Sequence, residues 1–227
     1  MIVIAAHNDK TSLDNILSDL TECDLCGHAV LVVDTNSDDS SFKEHFSSLR
    51  ETYPHFKFDR KDYSCWDSGA YIHAYNNYED DKYIFLQDSL RIKNPNAFRE
   101  ITTRLDYTDV LGLFNFFYCY DSIEQQEWVE ESISFTDLPK FGIFGPIFSA
   151  RKDALDKIPK DWLKNPSNKM QGCGMERRWA LMFQSLNLRV NYLSLFGSNE
   201  EWRYHESLEY QTDYCLHYFS KQFKHRL

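Results

Sequence analysis

Short apolar runs that stop abruptly at polar residues, each followed by a stretch of helical periodicity, constrain this chain more than any other feature. Ile2–Ala6 is an unbroken apolar run, too short for a helix and bounded as a buried strand would be. Leu13, Ile16, Leu17 and Leu20 then recur at the spacing of one helical face. A second run over 29–33 closes at Asp34, and Phe42, Phe46, Leu49 and Tyr53 form the next helical face, stopped at Pro54. Tyr71, Ala74, Tyr75 and Tyr78 predict a third helix, before a strand over 82–86 that leads into Gln87-Asp88-Ser89. Strands of this kind alternating with helices predict parallel neighbours joined by right-handed crossovers, with helices on both faces of the sheet.

The second half is less regular. Asn94 and Pro95 read as N-cap and first helical residue of a helix carrying Phe98, Ile101 and Leu105. An aromatic strand is expected over 110–118 and a Gly/Pro-interrupted apolar segment over 141–148, followed by a helix through Ala154, Leu155 and Ile158. A helix over 175–186 turns Trp179, Met182, Phe183 and Leu186 inward, and a late strand spans 188–196. The irregularity predicts a mixed sheet. With no repeat, no low-complexity tract and no Ser/Gly linker, a single domain is expected: a first half over 1–110, a second over 111–199 and a helical tail over 200–227.

Composition narrows the function classes. A chain of 227 residues with 42% hydrophobic residues has enough apolar side chains to bury a substantial core. A formal charge of −10 argues against a surface that neutralises a nucleic-acid backbone, although one local cation or helix N-terminus still suffices for a pyrophosphate. The opening apolar run has no basic residues before it and is too short for a signal peptide or a membrane span, so a soluble, cytoplasmic protein without a transmembrane segment is expected. Of the six cysteines, Cys23 and Cys26 lie near His28, but no second Cys or His pair completes a tetrahedral zinc set; ordinary reduced cysteines at a helix end are expected.

In an open α/β sheet, ligands bind beyond the carboxyl ends of the strands. The residues at those ends are Ala5, Ala6, His7 and Asn8, then Asp34, then Gln87, Asp88 and Ser89. No GxGxxG follows the first strand, and neither GxxxxGK[ST] nor GxSxG occurs, which removes dinucleotide folds, P-loop NTPases and α/β-hydrolases. Asp34 reads either as a solvated acid before a helix or as a carboxylate gripping a base or ribose hydroxyl. Trp66-Asp-Ser-Gly-Ala70 reads either as a capped helix start with Trp66 as staple, or as backbone N–H groups open to an anion. Asp88 is either a turn former or an oxygen ligand for a divalent ion. Glu176, after the glycine-containing Gln171-Gly-Cys-Gly-Met175, is either a first-turn acid on its helix or a general base aimed into the crevice. Arg151, Lys152, Arg177 and Arg178 are surface charges by default, with a diphosphate as the functional alternative.

Taken in order, Ile2-Val-Ile-Ala-Ala-His7, Val32-Val-Asp34, Trp66-Asp-Ser-Gly-Ala70, Tyr83-Ile-Phe-Leu-Gln-Asp-Ser89, Phe144-Gly-Pro-Ile-Phe-Ser149 and Gly174-Met-Glu-Arg-Arg-Trp179 resemble the GT-A glycosyltransferases, especially small family-2-like viral or bacterial members. The resemblance covers roughly residues 1–196. It implies a GT-A-like three-layer αβα sandwich and a nucleotide-sugar donor, with a glycan, lipid or protein acceptor. It places Ala5, Ala6, His7 and Asp34 at the nucleoside, and Trp66, Asp67, Gly69 and Ala70 at base and diphosphate. Gln87, Asp88 and Ser89 would stand at the metal and sugar, with Asp88 as ligand to Mn²⁺ or Mg²⁺ and Glu176 as catalytic base. Where the family carries DxD this chain has Gln87-Asp88-Ser89, so one carboxylate remains. The rival from another class is a non-catalytic nucleotide-sugar-binding or interaction protein on the same sheet.

Overall fold

The computed structural model describes residues 1–62, 66–113, 115–193 and 219–221. The chain runs β1 (Ile2–Ala6), α1 (Lys10–Thr21), β2 (Val30–Asp34), α2 (Ser40–Thr52), β3 (Lys57–Arg60), α3 (Trp66–Asn77), β4 (Lys82–Gln87), β5 (Leu90–Ile92) and α4 (Ala97–Leu105). It continues through β6 (Val110–Gly112), β7 (Asn115–Phe117), α5 (Ile123–Glu130), β8 (Phe141–Ile143), β9 (Phe148–Arg151), the short α6 (Lys152–Leu155), α7 (Lys169–Ser185), β10 (Val190–Tyr192) and β11 (Phe219–Lys221).

Among the described residues, seven strands form one sheet in the order β10-β6-β9-β4-β1-β2-β3. β1 pairs in parallel with β2 and β4, and β2 with β3, while β9 runs antiparallel to both β4 and β6. The mixed character expected of the second half therefore comes from one reversed strand. Period-two alternation divides the core between the two faces. Val3, Ala5, Val33 and Phe85 pack with α3 and α7 on one side; Ile2, Ile4, Val32 and Leu86 pack with α1, α2 and α4 on the other. The result is the three-layer αβα sandwich that the sequence implied.

Several local expectations are corrected. α4 begins at Ala97 with Asn96 as its N-cap, because Asn94 Oδ1 accepts the Asn96 N–H at 2.9 Å and makes a turn where a cap was expected. The aromatic run over 110–118 is divided between β6 in the main sheet and β7, which pairs with β8 in a separate ribbon. The helix expected through Ile158 is only the four residues of α6. α7 starts at Lys169, capped by Asn168, whose side chain accepts the Gln171 N–H. The glycines taken as a flexible approach are thus helical: Gly174 is a close-approach position, since a Cβ there would stand 3.1 Å from the Trp128 ring of α5.

β3, β5 and α5 escaped the sequence reading. β3 is a half-exposed edge strand of Lys, Phe, Asp and Arg without an apolar run. The late strand is observed at Val190–Tyr192, with 194–196 outside the described residues. Of the tail expected to be helical, only 219–221 are described, and they are a strand antiparallel to β5. Among the described residues no helix is long and apolar enough to cross a membrane.

Candidate active site

The order β3-β2-β1-β4 puts a topological switch point between β1 and β4, where two connections depart in opposite directions and open a crevice at the carboxyl ends. Hydrogen bonds tie the two ends together. The Asp88 N–H donates to the Ala5 carbonyl at 3.0 Å, and the His7 N–H donates to Asp88 Oδ2 at 3.0 Å. Asp88 is 8% exposed, so one carboxylate oxygen spans the floor of the crevice. Ala5 and Ala6 are buried, and their side chains belong to the sheet core; His7 is the first residue of that segment to reach solvent.

Asp34 ends β2 fully buried, which removes the reading as a solvated acid. Its Oδ1 accepts the Ser37 N–H at 2.9 Å, and its Oδ2 has no hydrogen-bond donor, with Arg60 Nε at 3.5 Å the nearest ionic partner. A buried carboxylate oxygen without a hydrogen-bond donor carries a desolvation penalty that the Arg60 ion pair offsets only in part. Arg60, from the edge strand that the sequence reading missed, also donates to the Ser37 carbonyl at 3.0 Å. Asn8 closes this corner: its N–H donates to Ser37 Oγ at 2.9 Å, and its side chain donates to Asp38, holding that carboxyl below the usual carboxylate range.

α3 supplies the opposite wall. Trp66 begins it with φ +51, Asp67 follows in the first turn, and Gly69 and Ala70 are buried against the sheet. The sequence grouped these four together; the structure turns only Trp66 and Asp67 toward the crevice. Gln87 Nε2 donates to Asp67 Oδ2, linking α3 to the end of β4, while Ser89 Oγ lies 3.5 Å from Gln87 Oε1. Beneath them the Tyr71 phenol is fully buried with no hydrogen-bond partner, and burial, reinforced by Asp67 and Asp88, raises it well above its ordinary value.

Glu176 reaches the same edge from α7. β9 begins at Phe148 opposite Phe85 near the end of β4, so the turn before it lies beyond the carboxyl ends of the parallel strands. Gly145, in that turn with φ +68, donates its N–H to Glu176 Oε1 at 2.8 Å. Arg177 Nη1 holds Oε2 at 2.9 Å. Glu176 therefore stands in the second turn of α7 and is oriented by two donors; the reading as a first-turn acid is overturned.

Arg177 and Arg178 are 4% and 0% exposed, which corrects their reading as surface charges. Arg177 also donates to the Cys119 and Cys173 carbonyls and to Asp121, with its guanidinium 4.7 Å from the Phe116 ring centre. Arg178 donates to the carbonyls of Trp128, Val129, Glu131 and Trp162. Neither is free for a diphosphate. Arg151 pairs with Asp109 and Asp153, and Lys152 with Asp156. The only signal for Arg177 was its place next to Glu176; β3 carried none for Arg60.

No group of three His, Cys, Asp or Glu side chains among the described residues gathers to hold a metal. Asp88 is flanked by an amide and a hydroxyl, and its Oδ2 already accepts an N–H. That donor set does not fit an ion held by the chain alone. Cys23, Cys26, Cys119 and Cys173 are free thiols, and burial raises Cys173, with Glu176 adding to the shift.

No protein-family model matches the chain, and no curated protein matches it. Solved structures do. S. aureus TarS 1–349 aligns with TM-score 0.53 at 16% identity, over 85% of this chain and 57% of that one. Its complex with UDP gives 0.54 at 16%, over the same shares. Its complex with UDP-GlcNAc gives 0.55 at 15%, over 91% of this chain and 61% of that one. This chain thus spans about three fifths of the TarS fragment, and the likeness is one of fold.

Proposed function

We propose that this chain is a glycosyltransferase that moves a sugar from a nucleoside diphosphate sugar to an acceptor hydroxyl. One observation carries the reading: the Gly145–Glu176 hydrogen bond brings an acid of α7 to the carboxyl edge of the sheet, where Asp34 ends β2 and Asp88 follows β4. The similar TarS structures were solved with UDP and with UDP-GlcNAc, a nucleotide sugar, which supports the donor class. In this reading Arg60 and the loop of His7 and Asn8 border the nucleoside, and Asp34, buried behind them, holds that corner through the Ser37 N–H and the Arg60 ion pair. Asp67, Gln87, Asp88 and Ser89 border the transferred sugar. Glu176 takes the acceptor proton as the acceptor oxygen attacks the anomeric carbon and the nucleoside diphosphate departs with the bonding electron pair. The Gly145 and Arg177 donors orient the Glu176 carboxylate.

The direct test is thermal denaturation with UDP, GDP and TDP and their sugars, together with donor hydrolysis. A matching nucleotide at 100 times its dissociation constant is expected to stabilise the fold by about 2.7 kcal/mol. No response to any of them at millimolar concentration would remove the reading.

Since the chain's own donors do not hold an ion, any Mn²⁺ or Mg²⁺ would enter with the diphosphate and meet Asp88 as its one carboxylate. The expected result is a larger thermal shift with UDP plus Mn²⁺ than with UDP plus EDTA. Asp88→Asn should erase the difference while preserving the fold, because Asn still accepts the His7 N–H. Equal shifts in the wild type would mean that binding needs no ion. The second reading, a nucleotide-sugar binder without transfer, is favoured by the Gln87–Asp67 hydrogen bond, which replaces a second carboxylate at the crevice with a satisfied amide.

A further inference from the structure

The wall between Trp66 and Glu176 holds three features that burial alone does not explain. Trp66 is a bulky residue in the left-handed backbone region, at φ +51, a conformation that L side chains rarely adopt. It is nevertheless 37% exposed, one of four large hydrophobic side chains exposed among the described residues. On α7, Gly172 sits in the first helical turn, where glycine is a poorer helix former than alanine. A Cβ there would stand 2.9 Å from Trp66 Cδ2, so Gly172 lets the indole lie against the helix backbone. A strained residue and a weakened helix together serve to seat one indole that stays open to solvent.

Its position gives the seat a meaning. Gly172, Glu176 and Trp179 are spaced i, i+4, i+7 and so share one face of α7. Gly172 meets Trp66, and Trp179 Nε1 donates to Ser68 Oγ at 2.9 Å, so that face looks onto the first turn of α3. Glu176 lies between these two contacts, about 6 Å along the helix axis from Gly172. Trp66 thus lies against the same face of α7 that carries Glu176, and Asp67 follows Trp66 at the same helix start.

We propose that Trp66 is the acceptor platform and that the acceptor is a carbohydrate whose pyranose ring stacks on the indole, with a hydroxyl turned to Glu176. A pyranose presents a face of C–H groups, weakly positive, and a rim of hydroxyls. An indole presents a negative π face, and a carboxylate at its edge accepts the rim hydroxyls. An open-chain polyol has the hydroxyls without the flat C–H face. The proposal rests on the transferase reading above and assigns the acceptor side of that site.

The test uses the full chain saturated with UDP. Methyl pyranosides of gluco, galacto and rhamno configuration are titrated against ribitol while the Trp66 indole N–H resonance, identified by its loss in Trp66→Phe, is followed by NMR. A saturable shift with at least one pyranoside and none with ribitol is expected. Trp66→Ala should weaken pyranoside binding about threefold to tenfold, the size of an aromatic stacking contribution, with the UDP thermal shift unchanged. Trp66→Phe should keep most of the affinity, and Gly172→Ala, which pushes on the indole, should reduce it. Equal responses to ribitol and pyranosides, or none to either, would overturn the proposal. So would a loss of UDP affinity in Trp66→Ala, which would put the indole on the donor side. If UDP itself gives no thermal shift in the wild type, the transferase reading fails first, and the two failures stay distinct.

Discussion

Glu176→Gln is expected to lose about a hundred- to ten-thousandfold in turnover, the usual contribution of a general base, with donor affinity nearly unchanged. The asymmetry follows from timing: the carboxylate takes a proton only as the acceptor oxygen attacks, so it contributes to the transition state and little to donor binding. Gln preserves volume and helix propensity, and its amide oxygen still accepts the Gly145 N–H. Its own N–H₂ then faces Arg177, a donor opposite a donor, so its melting temperature must be measured beside turnover. A folded Glu176→Gln protein with wild-type turnover would remove Glu176 as the base. A wild type that binds nucleotide yet transfers no sugar to any acceptor would favour the non-catalytic reading.

Arg178→Met should produce the largest loss of stability, about 3–5 kcal/mol, because several buried carbonyls lose their donor at roughly 1–3 kcal/mol each, offset in part by relief of the guanidinium's own burial cost. Arg178 is fully buried over the Trp128 ring, and burial draws its guanidinium down to about 10. Its Nη1 donates to the carbonyls of Trp128, Val129 and Glu131, at and just beyond the last turn of α5, where helical carbonyls lack intrahelical partners. Met fills the volume of the stem but leaves those oxygens, and the Trp162 carbonyl, without their donor. Lys152→Met, at a half-exposed ion pair with Asp156, should leave stability nearly unchanged and serves as the control. Denaturant unfolding of both variants tests this. Equal stability of Arg178→Met and wild type would mean that the carbonyls find water or that α5 rearranges.

The two adjacent arginines also mark a limit of sequence reading. Both were surface charges by default because Arg is mostly exposed, and a helix expected to begin at 175 put them in its first turn, whereas α7 begins at Lys169. Their burial depends on α5 packing across α7 at Gly174, a contact between segments more than forty residues apart. α5 itself, with Ile123 exposed and Gln125 buried, has no clean apolar face to announce it.

The sequence by itself determined the sheet and its layers. The runs at β1, β2 and β4 alternate their side chains between two cores, and the helices between them carry single apolar faces, so local periodicity and burial agree. It also put Asp34 and Asp88 at the carboxyl ends of β2 and β4, because a strand end is a local signal. Tertiary structure alone decided the rest. It reversed β9 between β4 and β6, recruited Arg60 from an edge strand, turned Gly69 and Ala70 into the core while leaving Trp66 at the crevice, and oriented Glu176 with Gly145 and Arg177. The physical reason is range: periodicity reports which face of an element is apolar, whereas the partner of a charge or an indole is set by chain segments that meet only when the layers close.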